Sequence, residues 1–186
     1  MLNDWFRILW ALFILVWLAG AGSSKRTVRQ ESMGSRIVYG GLMAIAVVLI
    51  FKFWSLGPLD RRFVPATEGI AVCGLILTAA GLAFAIWARV TLGRNWSGAV
   101  TIKQDHRLIR EGPYRLVRHP IYFGVLLAMA GTAIGFGSFS GLIGVPIASM
   151  ALWTKASMEE QFMIEQFGAD YIRYQHEVKA IIPRVL

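Results

Sequence analysis

Charge is what this chain has least of. Asp, Glu, Lys and Arg make up 16% of its 186 residues, while 56% are hydrophobic. Soluble domains carry roughly 25% charged residues. So few charges cannot build a water-facing shell, and a bilayer protein is the class that remains. The same excess of apolar residues excludes disorder. The single cysteine, Cys73, excludes an internal disulfide framework and a cysteine-based zinc site. Three histidines (His106, His119 and His176) leave little for a metal cluster, and no metal is expected.

The apolar residues fall into long uncharged runs, the signature of membrane-spanning helices. The first run is 5–22, interrupted only by Arg7; the second is 37–56, with Lys52 near one end; the third is 69–88. The fourth, 120–154, carries no charge at all. As one straight helix it would be about 52 Å long, against a hydrocarbon core of about 30 Å. It must fold back, and the glycines at 135 and 137 place the turn at 135–138. The expected fold is therefore all-α. It comprises five transmembrane helices, the last two a short hairpin, with a polar loop at 91–120 and an amphipathic C-terminal helix. The chain reads as one membrane domain over 1–186: three N-terminal spans in 1–90 and a catalytic region in 91–186.

Five spans put the termini on opposite sides, and the positive charges choose between them. Fifteen of the 19 Lys and Arg residues fall in 23–36, 89–118 and the tail after 154. Those segments are expected to be cytoplasmic, with the N-terminus outside. The net charge of +8 then reflects orientation and lipid headgroups rather than nucleic acid, for which no motif is present. Run 5–22 ends in small residues, as a signal segment does. Its basic residues follow rather than precede it, so it reads as a retained span.

Two polar segments meet at the cytoplasmic face. One reads Leu92-Gly93-Arg94-Asn95-Trp96, then His106-Arg107-Leu108-Ile109, Gly112-Pro113-Tyr114 and Arg118-His119-Pro120-Ile121-Tyr122. The other holds Lys155, Glu159-Glu160, Phe167-Gly168, Tyr171 and Tyr174. Pro120 suits a first helical turn. His119 then sits at the cap, beside free N–H groups that attract a carboxylate or phosphate. Gly112-Pro113 makes a turn that aims Tyr114 inward. Lys155 and Glu159 share a helix face, whereas Glu159 and Glu160 diverge by about 100°, so one of the pair is expected to face the site. The residues alone leave a second reading open, in which these groups only anchor a hairpin in lipid headgroups.

The order and spacing of these motifs, through Ile182-Pro183, resemble the isoprenylcysteine carboxyl methyltransferase family, related to the phospholipid N-methyltransferases. The resemblance covers about the C-terminal half, and the first two spans carry no recognisable motif. It implies an integral membrane enzyme that transfers a methyl group from S-adenosylmethionine, leaving S-adenosylhomocysteine, to a lipophilic or lipidated substrate. It places the cofactor on His106, Arg107, Leu108 and Ile109, on Tyr114, and on His119, Pro120, Ile121 and Tyr122. It places Glu159 and the basic residue one turn earlier on the substrate side. That basic residue is Lys155 here, where the family pattern has arginine, and lysine cannot form a bidentate fork with a carboxylate.

A carboxylate acceptor is already ionised near neutral pH and needs no base. A phospholipid amine or a small thiol would need one, and Glu159 would be that base. Two further classes compete. A membrane isoprenoid or sterol reductase would bind NADPH at a similar C-terminal region. A small transporter subunit would carry ionisable groups at mid-membrane, and runs 69–88 and 120–154 have none. Oligomeric state is left open.

Overall fold

The computed structural model describes residues 2–21, 27–96, 99–103 and 107–182. Among these described residues six α-helices carry the fold: α1 (Leu2–Ala21), α2 (Met33–Phe51), α3 (Glu68–Leu92), α4 (Pro120–Phe136), α5 (Phe139–Phe167) and α6 (Ala169–Glu177). Two short strands, β1 (Thr27–Gln30) and β2 (Thr101–Lys103), pair antiparallel with Gln30 opposite Thr101. The fold is all-α, as expected, with this small ribbon added to it. Three or four residues are too few for an alternating pattern to register in sequence. The ribbon nevertheless ties the α1–α2 connection to the polar segment after α3.

The helix ends follow local chemistry. Thr67 caps α3 by accepting from the Ile70 N–H at 3.4 Å, and α3 stops at Gly93. The 120–154 run folds back at Gly137, which adopts φ 64°, followed by Ser138, whose hydroxyl accepts from the Gly141 N–H. The expected turn is therefore present. α5 then runs 29 residues to Gly168, about 43 Å, so its charged C-terminal part extends beyond a 30 Å apolar layer. Helices α1, α2 and α3 are long and apolar enough to cross a membrane, and α4 is a shorter apolar helix.

Small residues set how closely α3 and α4 approach. A Cβ built on Gly81 would lie 2.5 Å from the Gly124 carbonyl oxygen and the Ala128 nitrogen. One built on Gly74 would lie 2.6 Å from the Gly131 carbonyl oxygen. Such backbone contact is the usual means of helix association in lipid. Beside it, Thr78 and Thr132 share a hydrogen bond of 3.2 Å, and the Trp10 indole N–H donates to Thr132 at 3.0 Å. This buried polar knot joins α1, α3 and α4. At the far end of α4, Arg62 donates to the Phe136 carbonyl at 2.7 Å and closes the hairpin.

Candidate functional site

At the other end of α4, Pro120 occupies the first turn and His119 the N-cap position, and no side chain caps the helix. Just upstream, Gly112 (φ 56°) and Pro113 open a tight turn that buries Tyr114. The tail secures this arrangement. Arg118 N–H donates to the Lys179 carbonyl at 2.8 Å and His119 N–H to the Ala180 carbonyl at 2.9 Å. The Tyr174 hydroxyl donates to the Tyr114 carbonyl at 2.5 Å. Tyr171 and Tyr174 are thus the buried face of α6, and the exposed His176 lies away from it.

His119 is only 7% exposed, and both neighbouring carboxylates reach it. Its Nδ1 is 3.4 Å from Glu159 Oε2, and its Nε2 is 3.2 Å from Glu160 Oε1. Of the pair, Glu159 lines the cavity and Glu160 does not, as expected, yet both touch the histidine. The imidazole lies between the two carboxyl groups and touches one with each nitrogen. Glu160 also accepts from Arg118 Nε at 2.8 Å, from Arg118 Nη2 at 2.6 Å and from Gln175 Nε2 at 2.9 Å. Glu159 accepts from the Tyr122 hydroxyl. The Lys155 ammonium sits over two rings, 5.4 Å from the Tyr39 centroid and 5.5 Å from that of Tyr122.

The two glutamates lie past the apolar part of α5. Burial pushes both carboxyl groups up, but hydrogen bonds and positive neighbours outweigh it. Against burial, His119 and Arg118 hold Glu160 at about 2. His119, Lys155 and Tyr122 hold Glu159 below the ordinary carboxylate range. Burial alone would lower His119, yet the bonds to Glu159 and Glu160 raise it above its ordinary value. Burial pushes Tyr114 and Tyr171 up as well, so both remain hydrogen-bond donors rather than phenolates.

These groups border one cavity of about 1040 Å³, its open mouth included. Arg107, Leu108 and Ile109 line it from the stretch before the Gly112 turn, and Tyr114 from the turn itself. His119, Pro120, Ile121 and Tyr122 line it from the start of α4, and Lys155 and Glu159 from α5. The structure thus brings together every expected site residue except His106, which lies outside the described residues. Sequence reading missed several contributors, among them Trp17, Asn95 and Thr101. Trp17 reaches the cavity from α1, where no motif marks it; Asn95 and Thr101 line it from the segment after α3. The only signal for Asn95 was its place in a motif to which no role attached.

The fold and cavity define a helical membrane protein whose polar site lies at the ends of its helices. The phospholipid methyltransferase family model matches residues 70–170, from α3 to the start of α6. The chain belongs to that family. It is 29% identical over 117 residues to a probable protein-S-isoprenylcysteine O-methyltransferase of Oryza sativa subsp. indica, covering 61% of each chain. It is 25% identical over 156 residues to a methanethiol S-methyltransferase of Pseudomonas deceptionensis, covering 76% of this chain and 57% of that one. A solved eukaryotic intramembrane Ras methyltransferase, an isoprenylcysteine carboxyl methyltransferase, superposes with TM-score 0.56 at 23% identity, over 85% of this chain and 55% of that one. The chain spans about three fifths of the length of the rice relative. The apolar helices and this shared fold make it a multi-pass membrane protein.

Proposed function

We propose that this protein is an S-adenosylmethionine-dependent methyltransferase that methylates a lipophilic carboxylate, of the prenylated-cysteine class, at the membrane surface. The observation that carries this reading is the convergence of 107–109, Tyr114 and 119–122 with Lys155 and Glu159 on one cavity. The rice and Pseudomonas relatives are both named as methyltransferases, which supports the reaction class. The expected five spans and the cytoplasmic placement of the site belong to the same proposal.

The residues fit an adenosyl amino acid. The start of α4 carries no side-chain cap and borders the cavity, which suits the carboxylate of such a ligand. Arg107, Leu108, Ile109, Tyr114, His119, Pro120, Ile121 and Tyr122 would hold the cofactor. Bound there, S-adenosylmethionine supplies an electrophilic methyl group and its own leaving group. The protein's part is to align the acceptor and exclude water.

Glu159 decides between acceptors. A carboxylate held below its ordinary range is a weak base. It is poorly suited to deprotonating an amine or a neutral thiol. A carboxylate acceptor is ionised already, and the Lys155 ammonium supplies a positive charge toward it. Lysine acts there as a point charge, without the two-pronged grip of arginine. A small thiol is the second reading, favoured by the similarity to the methanethiol enzyme.

Equilibrium binding to purified protein in detergent tests the cofactor class. S-adenosylmethionine and S-adenosylhomocysteine are expected to bind, and His119→Ala to weaken both about tenfold or more. Binding of NADPH in their place would replace this reading with a reductase.

A further inference from the structure

Trp17, Asn95, Trp96 and Thr101 form one stretch of the cavity wall outside the set proposed to hold the cofactor. Two of them carry unpartnered buried atoms. Thr101 is 8% exposed, and among the described residues neither its hydroxyl nor the buried Asn95 Oδ1 makes a hydrogen bond. Buried polar groups in native proteins are nearly always paired, so these two atoms point to a ligand.

The scaffold around them is well fixed. Arg89 places its guanidinium 4.2 Å from the Trp96 ring centroid and donates to the Gly93 carbonyl at 3.0 Å, holding the turn that carries Asn95. Thr101 stands opposite Gln30 in the ribbon. Its neighbour Val100 donates to Glu31 Oε1 at 3.0 Å and accepts from the Glu31 N–H at 3.1 Å. Trp17 meets Trp96 edge to face at 5.2 Å. Trp17 belongs to α1, whose neighbouring Leu15 and Leu18 are 62% and 64% exposed.

We propose that Asn95 and Thr101 form an amide-recognition site for the methyl acceptor, with Trp17 and Trp96 flanking its apolar chain. The assignment rests on the methyltransferase reading above. Asn95 Oδ1 accepts only, so it needs an N–H or O–H donor on the ligand; the Thr101 hydroxyl both donates and accepts. Neither is charged, so the pair suits a neutral group rather than a carboxylate. A secondary amide offers an N–H and a C=O side by side. A lipidated cysteine carries that amide where it joins its peptide, whereas a small thiol or a simple lipid acid does not.

Two acceptors separate the roles. N-acetyl-S-farnesylcysteine has a prenyl chain, a carboxylate and an amide; S-farnesyl-3-mercaptopropionate lacks only the amide-bearing substituent. Thr101→Val and Asn95→Ala are expected to raise the KM for the first about tenfold. The KM for the second and the Kd for S-adenosylmethionine should stay unchanged, and Thr101→Ser should restore the first KM. Retained cofactor affinity certifies that the variants are folded. Equal losses on both acceptors, weakened cofactor binding, or no change on either acceptor would each overturn the amide site. If the unaltered protein methylates neither acceptor, the methyltransferase reading of a prenylated carboxylate fails, and the amide site with it.

Discussion

Replacing Glu160 by glutamine removes one negative charge while keeping the side-chain shape, and its cost follows from the geometry. Glu160 is the anion that Arg118 and His119 share, and both side chains are largely buried: that of Arg118 is 10% exposed and that of His119 7%. The carboxyl is held at about 2 against an ordinary 4.5, a difference worth roughly 3 kcal/mol before screening. Glu160 itself is 19% exposed, and screening by solvent brings the expected loss to about 1–2 kcal/mol. For a chain of this size that corresponds to a fall in Tm of about 2–8 °C. The pH dependence adds a sign. A carboxyl with a depressed folded pKa contributes in full above 4.5, and the contribution disappears as pH falls toward 2. Thermal unfolding of detergent-purified protein should therefore show Glu160→Gln below the unaltered protein at pH 7, with the two curves converging toward pH 3. Equal Tm values at pH 7, or a gap that persists unchanged at pH 3, would refute the charge cluster as described.

Other perturbations probe other levels of the structure. His119→Gln should remove an alkaline loss of stability. The raised histidine contributes in full below 6.5 and loses that contribution as pH rises through its folded value, so only the unaltered protein should show the decline. Gly81→Ala places a Cβ 2.5 Å from backbone atoms of α4; it should cost about 1–3 kcal/mol or more and reduce the yield of folded protein in size-exclusion profiles. Thr132→Val leaves the Trp10 N–H without its acceptor, a loss of about 1–3 kcal/mol readable as a lowered Tm. Glu159→Gln should reduce methyl transfer while leaving S-adenosylmethionine affinity within about threefold, measured by turnover and equilibrium binding.

The helices were legible because their signals are local. Charge gaps marked the spans, Gly137 and Ser138 marked the hairpin turn, and Pro120 marked the start of α4. The site motif was legible for a related reason: residues 107–122 lie close together in sequence, and the hairpin returns Lys155 and Glu159 to them. What escaped depends on long-range geometry. Nothing near Trp17 says that α1 leans against Trp96, and a ribbon of three and four residues leaves no periodicity. The two-sided clamp on His119 was missed because helical spacing gives the angle between adjacent side chains, not the position of the ring between them. Neither Glu159 nor Glu160 turns away, because the imidazole offers a nitrogen to each.

The most direct test of methyl transfer to a carboxylate uses methyl-labelled S-adenosylmethionine, purified protein and N-acetyl-S-farnesylcysteine, followed by treatment of the product with base. A carboxyl methyl ester is hydrolysed and releases its label as volatile methanol; an S- or N-methyl group is not. Label that becomes volatile on alkaline hydrolysis is the predicted result. Label that resists base, or transfer seen only with methanethiol or an amine phospholipid, would contradict it.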